Sequence, residues 1–371
     1  MEPLRELRKV TRNALEAAHL LGAARKARQA ACFLTATAPA LTRANGLQAL
    51  LGSVRRSGPM ILFERYGGIG DVICSFPAVL ALRDKFPGAP IVYAVAAPFI
   101  PIVRMGRVAD AILPIYDDTR LVLPSACRLG FGVVIPAALT HERIAGGTPR
   151  HLVDDFCAQA GVTPKDRQPR LSVPRGLSER VLSELSVAPD EHKPLVAIHT
   201  GPTWRVKEWP DTGWRELVSW LLSEHHAQVI QLGSAEYRKG DGTRGARIEG
   251  AIDCVGRLSL EETAACIQAC DLFVGVDSGP LHMAGAVGTP SVGLFGATDP
   301  ALHLPPKTAS IAVAGDVPCL GCQQRRPVLH WQDDCPMQIA CMKALRVGQV
   351  AEACDRMLES GSGCPLRRLI Q

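Results

Sequence analysis

Short apolar runs separated by segments of helix length recur along the chain from about residue 58. In the first half they predict strands at 60–63, 91–95, 111–115 and 132–135, and in the second half at 195–199, 228–232, 272–276 and 291–295. Continuous apolar strands alternating with helical segments are typical of parallel sheets covered on both faces. The pattern therefore predicts an α/β fold with two Rossmann-like lobes.

This spacing also divides the chain into segments. We expect a basic helical extension at 1–57, a first Rossmann-like domain at 58–173, and a linker rich in Pro, Ser and charge at 174–194. A second Rossmann-like domain follows at 195–345 and includes a cysteine-rich segment at 319–341, before a C-terminal helix and tail at 346–371. A length of 371 residues is ample for two domains of ordinary size.

The positive charge is concentrated in the first 57 residues, which hold ten Lys or Arg against three Asp or Glu, while the whole chain is only +5. A basic face interleaved with aromatic residues is missing, so we expect no nucleic-acid partner. One helical stripe is shared by Leu4, Leu7, Thr11, Ala14, Ala18 and Leu21. This stripe favours packing on the body or on a sister subunit in a homo-oligomer, with peripheral binding to an anionic membrane as the alternative.

The chain shows no apolar run of the ~20 residues that cross a membrane and no apolar core of a signal peptide near its start. We therefore expect a cytoplasmic protein, with attachment to the inner face of the membrane through the basic leader as the alternative.

Two polar turns that follow apolar strands are the first candidates for a ligand site. Gly67-Gly68-Ile69-Gly70-Asp71 is predicted as a turn before a helix at 75–86, and its glycines allow a substrate close to the backbone. Asp71 has two interpretations from residue type alone, a helix cap or a functional carboxylate. The second turn, Asp277-Ser278-Gly279-Pro280, leads into a short helix carrying His282, an arrangement that presents backbone N–H groups to a phosphate.

Two further strands end in loops with charged residues. The loop 199–210 contains Arg205 and Lys207, which suit a diphosphate, although a solvated loop is the simpler interpretation. Glu236 follows the strand predicted at 228–232, where a carboxylate can hold two ribose hydroxyls; an ordinary surface Glu is equally consistent.

Thirteen cysteines are many for a cytoplasmic chain, and four of them form a spaced set: Cys319, Cys322, Cys335 and Cys341. A Cys-x2-Cys pair followed by two more cysteines in a segment poor in apolar residues matches a structural four-thiolate site for Zn or Fe. Reduced thiols without a metal are the alternative. A site closed by four thiolates leaves no coordination position for a substrate, so we expect its role to be structural.

These motifs in this order resemble glycosyltransferase family 9, the heptosyltransferases of bacterial lipopolysaccharide assembly. The resemblance rests on residues 65–91, Lys207-Glu208-Trp209-Pro210, 233–236 and 276–300, and it covers about residues 60–350. It implies a GT-B architecture, with a nucleotide-sugar donor on the C-terminal domain and an acceptor on the N-terminal domain. ADP-heptose is the implied donor; the acceptor is a glycan, a lipid-linked glycan or a protein.

The resemblance also assigns roles to residues. It implies that Asp71 is the catalytic base of an inverting transfer, that Gly67, Gly68 and Gly70 form the acceptor-side loop, and that Lys207 meets the donor phosphates. Glu236 would hold the ribose, and Asp277, Ser278, Gly279 and His282 would complete the donor site. We expect no catalytic metal, because Lys207 and the helix N-terminus after Asp277 can stabilise the departing diphosphate.

The basic leader and the four cysteines depart from the usual family pattern. They are closer to the cysteine-bearing relatives, including protein heptosyltransferases with an iron-bound cysteine site, which form the alternative within transferases. A nucleotide-sugar epimerase also uses paired Rossmann domains, but the order of the motifs argues against it. The non-enzymatic alternative is a nucleotide-sugar-binding or scaffold protein.

Overall fold

The structure is a computed structural model, and it describes residues 59–115, 131–137, 149–188, 190, 192–201, 204–234, 247–325 and 335–359. The basic helical extension predicted at 1–57 lies outside these residues. Within the described ranges no helix is both long and apolar enough to cross a membrane.

The chain forms two compact units. One contains the described residues of the ranges 59–66, 86–100 and 109–136, and the other contains those of 67–85, 101–108 and 137–359. The boundaries of these units differ from those of the two predicted domains, 58–173 and 195–345. The domain boundaries stay a prediction.

A four-stranded parallel sheet forms the described part of the first unit. Its strands are β1 (Ile61–Arg65), β2 (Ile91–Ala96), β3 (Ala111–Ile115) and β4 (Val133–Pro136), in the order β3-β2-β1-β4. Every residue of β1 and β2 is buried, as expected for central strands covered on both faces. Phe63 and Tyr93 are paired in register, with their ring centroids 5.3 Å apart.

The second unit contains a six-stranded parallel sheet, ordered β10-β9-β8-β5-β6-β7. Its strands are β5 (Leu195–His199), β6 (Gln228–Leu232), β7 (Ile252–Asp253), β8 (Leu272–Val276), β9 (Ser291–Phe295) and β10 (Ser310–Ala314). Together with the first sheet it confirms the predicted α/β class with two parallel sheets. The strands β5, β6, β8 and β9 have the bounds that the apolar pattern predicts.

The described α-helices belong to the second unit, except for one residue at the start of α3. They are α1 (Ile69–Cys74), α2 (Phe76–Lys85), α3 (Ile100–Gly106), α4 (Leu152–Ala160), α5 (Leu177–Glu184), α6 (Asp211–Glu224), α7 (Leu260–Ala269), α8 (Gly279–Val287), α9 (Pro300–His303), α10 (Cys322–Arg325), α11 (Ala340–Lys343) and α12 (Val347–Glu359). The segment predicted as a linker contains α5, whose Val181 and Leu182 are buried.

Local sequence explains where several helices begin and end. At the start of α7, Ser259 Oγ accepts from the Glu262 N–H at 3.2 Å, and Glu262 Oε2 accepts from the Ser259 N–H at 2.8 Å. At the end of α8, Gly288 has φ +86°, a left-handed conformation that glycine adopts without steric cost.

The predicted turn at 67–71 is wrong in part, because α1 begins inside it at Ile69. The helix predicted at 75–86 is confirmed as α2 (Phe76–Lys85), which is separated from α1 only by Ser75. Glycine has a low helix propensity, so a prediction based on composition does not place Gly70 in the first turn of a helix. The packing of this turn, described below, overrides that propensity.

Candidate active site

The site residues of the second unit lie where its central strands end. His199 is the last residue of β5, and Asp277 follows β8 directly, with the Asp277 N–H donating to the Leu294 carbonyl of β9 at 3.1 Å. Because β5, β8 and β9 are parallel neighbours, their carboxyl ends meet at one edge of the sheet. Ligands of open α/β sheets bind at this edge.

Asp277 is the centre of a buried polar cluster, and its side chain is only 3% exposed. Its Oδ2 lies 2.8 Å from Lys207 Nζ and 3.5 Å from His303 Nδ1, while its Oδ1 lies 3.7 Å from His282 Nε2. Burial alone would raise the pKa of this carboxyl, but Lys207, His303 and His282 hold it well below the usual range. Asp277 is therefore a carboxylate at neutral pH.

Lys207 is held at the cluster by its own loop. It ends a short 3₁₀ turn, Arg205–Lys207, and its Nζ also donates to the Asp277 carbonyl at 3.1 Å and lies 4.7 Å from the centre of the Trp204 ring. Two residues later, the buried Trp209 anchors the loop, because its Nε1 donates to the Leu345 carbonyl at 3.1 Å. The interpretation of a solvated loop is wrong for Lys207, whose side chain is 12% exposed.

His282 connects the cluster to α1. Its Nδ1 lies 3.4 Å from Cys74 Sγ, and both residues are buried. A Cβ atom at Gly70 would clash with the His282 ring, and one at Gly279 would clash with Ile69, so two glycines allow α1 and α8 to approach closely. Burial alone would lower the pKa of His282, but Cys74 and Asp277 raise it to about 10.

Ser278 and His199 form a second contact beside the cluster. Ser278 Oγ donates to the Val276 carbonyl at 3.1 Å and lies 3.2 Å from His199 Nδ1. Since the hydroxyl proton is used in the first bond, Nδ1–H is the donor in the second. Burial lowers the pKa of His199 to about 4, so this ring is neutral at physiological pH.

His303 is a member of the cluster that the sequence analysis missed. It ends α9, and Gln324 Nε2 lies 2.8 Å from His303 Nε2. Burial is the main reason that its pKa is lowered to about 4. A single His in a short helix is not part of a recognisable sequence motif. Its role is visible only in the folded structure, where three separate loops come together.

Asp71 lies on α1 and has the contact that the cap interpretation predicts. Its Oδ2 accepts from the Gly68 N–H at 3.2 Å, across the first turn of the helix. Asp71 also lies near enough to His303 to influence the ionisation of that ring. The carboxylate thus caps a helix beside the Asp277 cluster, and its assignment as a base stays a prediction.

At each of the three positions predicted to line the acceptor side, the structure explains glycine in a different way. Gly67 has φ +134°, a left-handed value that disfavours other residues, and Gly68 supplies the N–H that Asp71 accepts. The space beside Gly70 is filled by His282. Contact of these glycines with an acceptor stays a prediction, and Glu236 lies outside the described residues.

The fold brings Cys319, Cys322, Cys335 and Cys341 into one neighbourhood. Burial, with smaller contributions from Cys319, Cys322 and Cys335, raises the pKa of Cys341 to about 11, so the four thiols act on one another. Cys341 Sγ would be 2.9 Å from a Cβ at Gly296, just after β9. Among the described residues, no three of these sulfur atoms lie within 4.8 Å of one another, so the set is grouped but wider than a coordinated metal requires.

The cluster around Asp277 has the composition of a cation site, but its charge favours an anion. Ligand atoms of Asp277, His282 and His303 lie within 4.8 Å of one another. Lys207 already supplies a cation to Asp277, and His282, whose pKa is raised by Cys74 and Asp277, supplies a second. Two cationic side chains in a largely desolvated site suit a phosphate group.

A family model for glycosyltransferase family 9 (heptosyltransferase) matches residues 150–331, which include this cluster. Lipopolysaccharide heptosyltransferase 1 of Salmonella typhimurium is 32% identical over 287 residues, covering 65% of this chain and 90% of that protein. Matches to other curated lipopolysaccharide heptosyltransferases are shorter and span 13 to 41% of each relative's length.

Two solved structures show the same fold. The ADP-heptose lps heptosyltransferase II of E. coli superposes with a TM-score of 0.60 at 18% identity, covering 82% of this chain and 99% of that one. The iron-containing dodecameric glycosyltransferase TibC of enterotoxigenic E. coli H10407 gives a TM-score of 0.62 at 20% identity, covering 81% and 76%. The fold is thus the predicted GT-B architecture, and the chain is a glycosyltransferase that belongs to family 9.

Proposed function

We propose that this glycosyltransferase transfers heptose from ADP-heptose to a lipopolysaccharide-core or other glycan acceptor, with inversion at the anomeric carbon. The observation that carries the proposal is the buried cluster of Lys207, Asp277 and His282, which places two cationic side chains at the N-terminus of α8. The names of the relatives support the choice of sugar, since they are lipopolysaccharide heptosyltransferases.

The donor diphosphate would lie against Lys207 and the start of α8. No side-chain hydrogen bond caps this helix, Pro280 has no N–H, and the Leu281 N–H donates to the Ser278 carbonyl at 3.1 Å. The Gly279 N–H and the positive end of the helix dipole would therefore face the anion. As the sugar–oxygen bond breaks, negative charge grows on the diphosphate, and fixed cations stabilise that charge more in the transition state than in the ground state. Asp277 would keep the ammonium of Lys207 oriented throughout.

Asp71 would accept the proton of the attacking acceptor hydroxyl. Inversion follows if the hydroxyl attacks from the face opposite the departing diphosphate. The position of Asp71 near His303 supports this role, because it brings the carboxylate to the same edge of the second unit as the phosphate-binding residues. General-base catalysis depends first on such geometry and then on pKa.

The four cysteines favour a second candidate, transfer of heptose to a protein. Their thiols would hold a structural Zn or Fe ion once deprotonated, and the bound ion would hold the two ends of the 319–341 segment together. The iron-containing TibC supports this candidate through its fold. The reaction of the first proposal does not require this metal, and the donor site would be the same.

Donor binding is tested by calorimetry with ADP, UDP and GDP on the purified full chain. We expect selective ADP binding that Lys207→Gln weakens by roughly 10- to 100-fold, since charge-assisted hydrogen bonds contribute about 1.5–3 kcal/mol. Lys193→Gln is the matched control, because the Lys193 side chain is exposed and its Nζ lies 3.7 Å from Asp190 Oδ2, outside the Asp277 cluster. Preference for UDP or GDP would refute ADP-heptose as the donor.

Turnover is tested with ADP-heptose and a lipopolysaccharide-core acceptor. We expect Asp71→Asn to lower kcat by roughly 100-fold or more with ADP affinity unchanged, because a base acts in the transition state. Asp84→Asn is the control on α2, where the carboxylate is half exposed. Full turnover by Asp71→Asn would contradict the base, and absence of any nucleotide binding by the wild type would contradict the transferase mechanism.

The leader is tested separately from the site. Size-exclusion chromatography and sedimentation with anionic vesicles on chains with and without residues 1–57 compare self-association with membrane binding. We expect loss of self-association on removal of the leader. Loss of vesicle binding instead would favour the membrane alternative.

A further inference from the structure

The segment that carries the first two cysteines of the set is hydrogen-bonded to the loop after β9. The Gly321 N–H donates to the Gly296 carbonyl at 2.9 Å, and the Gln323 N–H donates to the Ala297 carbonyl at 2.9 Å. A Cβ at Gly321 would be 3.2 Å from Asp299 Cβ, so the two backbones are in close contact. The cysteine segment and the loop that leads to His303 therefore form one packed structure.

Gln324 extends this contact to the Asp277 cluster. Its Oε1 accepts from the Asp299 N–H at 3.0 Å, and its Nε2 lies 2.8 Å from His303 Nε2. A backbone N–H can only donate, so it fixes the oxygen of the amide towards Asp299 and the NH₂ group towards His303. His303 Nε2 must then accept, and the proton of the neutral ring lies on Nδ1.

This tautomer has a consequence at the carboxylate. His303 Nδ1 lies 3.5 Å from Asp277 Oδ2, the same oxygen that Lys207 contacts at 2.8 Å. An Nδ1–H directed at this oxygen is attractive, whereas a bare nitrogen lone pair there would repel it. The tautomer of His303 thus affects the orientation of the carboxylate that positions Lys207.

We propose that Gln324 is a positioning residue for the donor site: it holds His303 in the Nδ1–H tautomer and so orients Asp277 and Lys207. The functional part of this inference rests on the proposed function, while the tautomer does not. Burial keeps the ring neutral, because it lowers the pKa of His303 to about 4 despite Asp277. Lys207, His282 and Asp71 are the other groups that act on the ring.

The tautomer is measured directly by ¹⁵N NMR of the histidine side chains in the full chain, since the two ring nitrogens differ in shift when protonated. His303→Asn assigns the resonances. We expect wild-type His303 to be in the Nδ1–H form at neutral pH, and this measurement does not depend on any variant at Gln324. An Nε2–H tautomer in the wild type would overturn the proposal.

Gln324→Met then removes the amide while keeping the length of the side chain. We expect a mixture of His303 tautomers and ADP affinity weaker by roughly 5-fold, the equivalent of one ordinary hydrogen bond. Gln349→Met is the matched control: its Oε1 accepts from the Arg346 N–H at 3.1 Å at the start of α12, and both readouts should stay at wild-type values.

The outcomes separate the two proposals. An unchanged tautomer and unchanged ADP affinity in Gln324→Met would overturn the positioning role. A shifted tautomer with unchanged ADP affinity would also overturn it, because the link from His303 to the donor site would be missing. If the wild type binds no ADP while His303 has the expected tautomer, the proposed function fails and the geometry around Gln324 is confirmed.

Discussion

At the scale of single residues, the buried histidines give this protein an acid sensitivity that its carboxylates alone would not. The pKa of His199 is lowered to about 4 in the folded chain, while an unfolded His titrates near 6.5. The unfolded state therefore takes up the proton first, and stability present above pH 6.5 is lost as the pH falls towards 4. For His199 this loss amounts to roughly 3 kcal/mol.

His199→Gln should remove this contribution. We expect a flatter dependence of the free energy of unfolding on pH between 6.5 and 4, measured by urea denaturation at a series of pH values. The remaining slope belongs in part to His303, whose pKa is lowered similarly. His192→Gln is the control, since His192 is exposed. An equal slope in wild type and His199→Gln would show that the buried ring does not control the acid response.

At the scale of secondary-structure elements, the approach of α1 to α8 depends on glycine. Gly70→Ala would drive a methyl group into the His282 ring, and Gly279 has the same relation to Ile69. Overpacking of this kind costs about 1–3 kcal/mol, so we expect a lower melting temperature and weaker ADP binding through a displaced His282. Thermal unfolding and calorimetry measure the two effects.

Gly348→Ala supplies the contrast on α12. A Cβ there would have no atom within 4 Å, so the substitution should raise the free energy of unfolding by up to about 1 kcal/mol through helix propensity. If both glycine variants change stability in the same direction, space beside Gly70 is not the determinant.

Strands and helices differ in how well their bounds can be predicted from the sequence. The bounds of β5, β6, β8 and β9 are predicted without error because a central parallel strand is a continuous apolar run between polar turns. The edge strands β7 and β10 are missed: β7 has only two residues, and most residues of β10 are partly exposed. α1 is missed because its helicity depends on contacts with α8, which are far away in the sequence.

At the scale of the whole molecule, the four cysteines predict a metal content. We expect about one Zn or Fe per chain in protein purified without chelator, and Cys322→Ser should lose it together with several degrees of melting temperature. The affinity should fall as the pH falls, because the pKa of Cys322 and Cys341 is raised and protons compete with the metal. Elemental analysis and thermal unfolding test this prediction.

Cys157→Ala is the control for that experiment. Cys157 is buried on α4, outside the four-cysteine set, and its variant should retain the metal. Wild-type protein without zinc or iron would leave the alternative of reduced thiols.

Part of the candidate site can be predicted from the sequence, and part of it cannot. Asp277, Ser278, Gly279 and His282 occur in one contiguous motif, so their proximity is predictable. His303 and Gln324 join them from two other segments, and their neighbours in sequence give no sign of it. The contact is a property of the folded loops around β9, because only there do the three segments meet.

The division of the chain into compact units also limits how such enzymes can be recombined. Residues 67–85 precede most of the first sheet in sequence, yet they belong with the second sheet, where α1 contacts α8. A hybrid joined at 174–194 would take α1 from one parent and α8 from the other. Gly70, Cys74 and Ile69 would then contact His282 and Gly279 of a different parent, so a stable hybrid requires these helices to be inherited together.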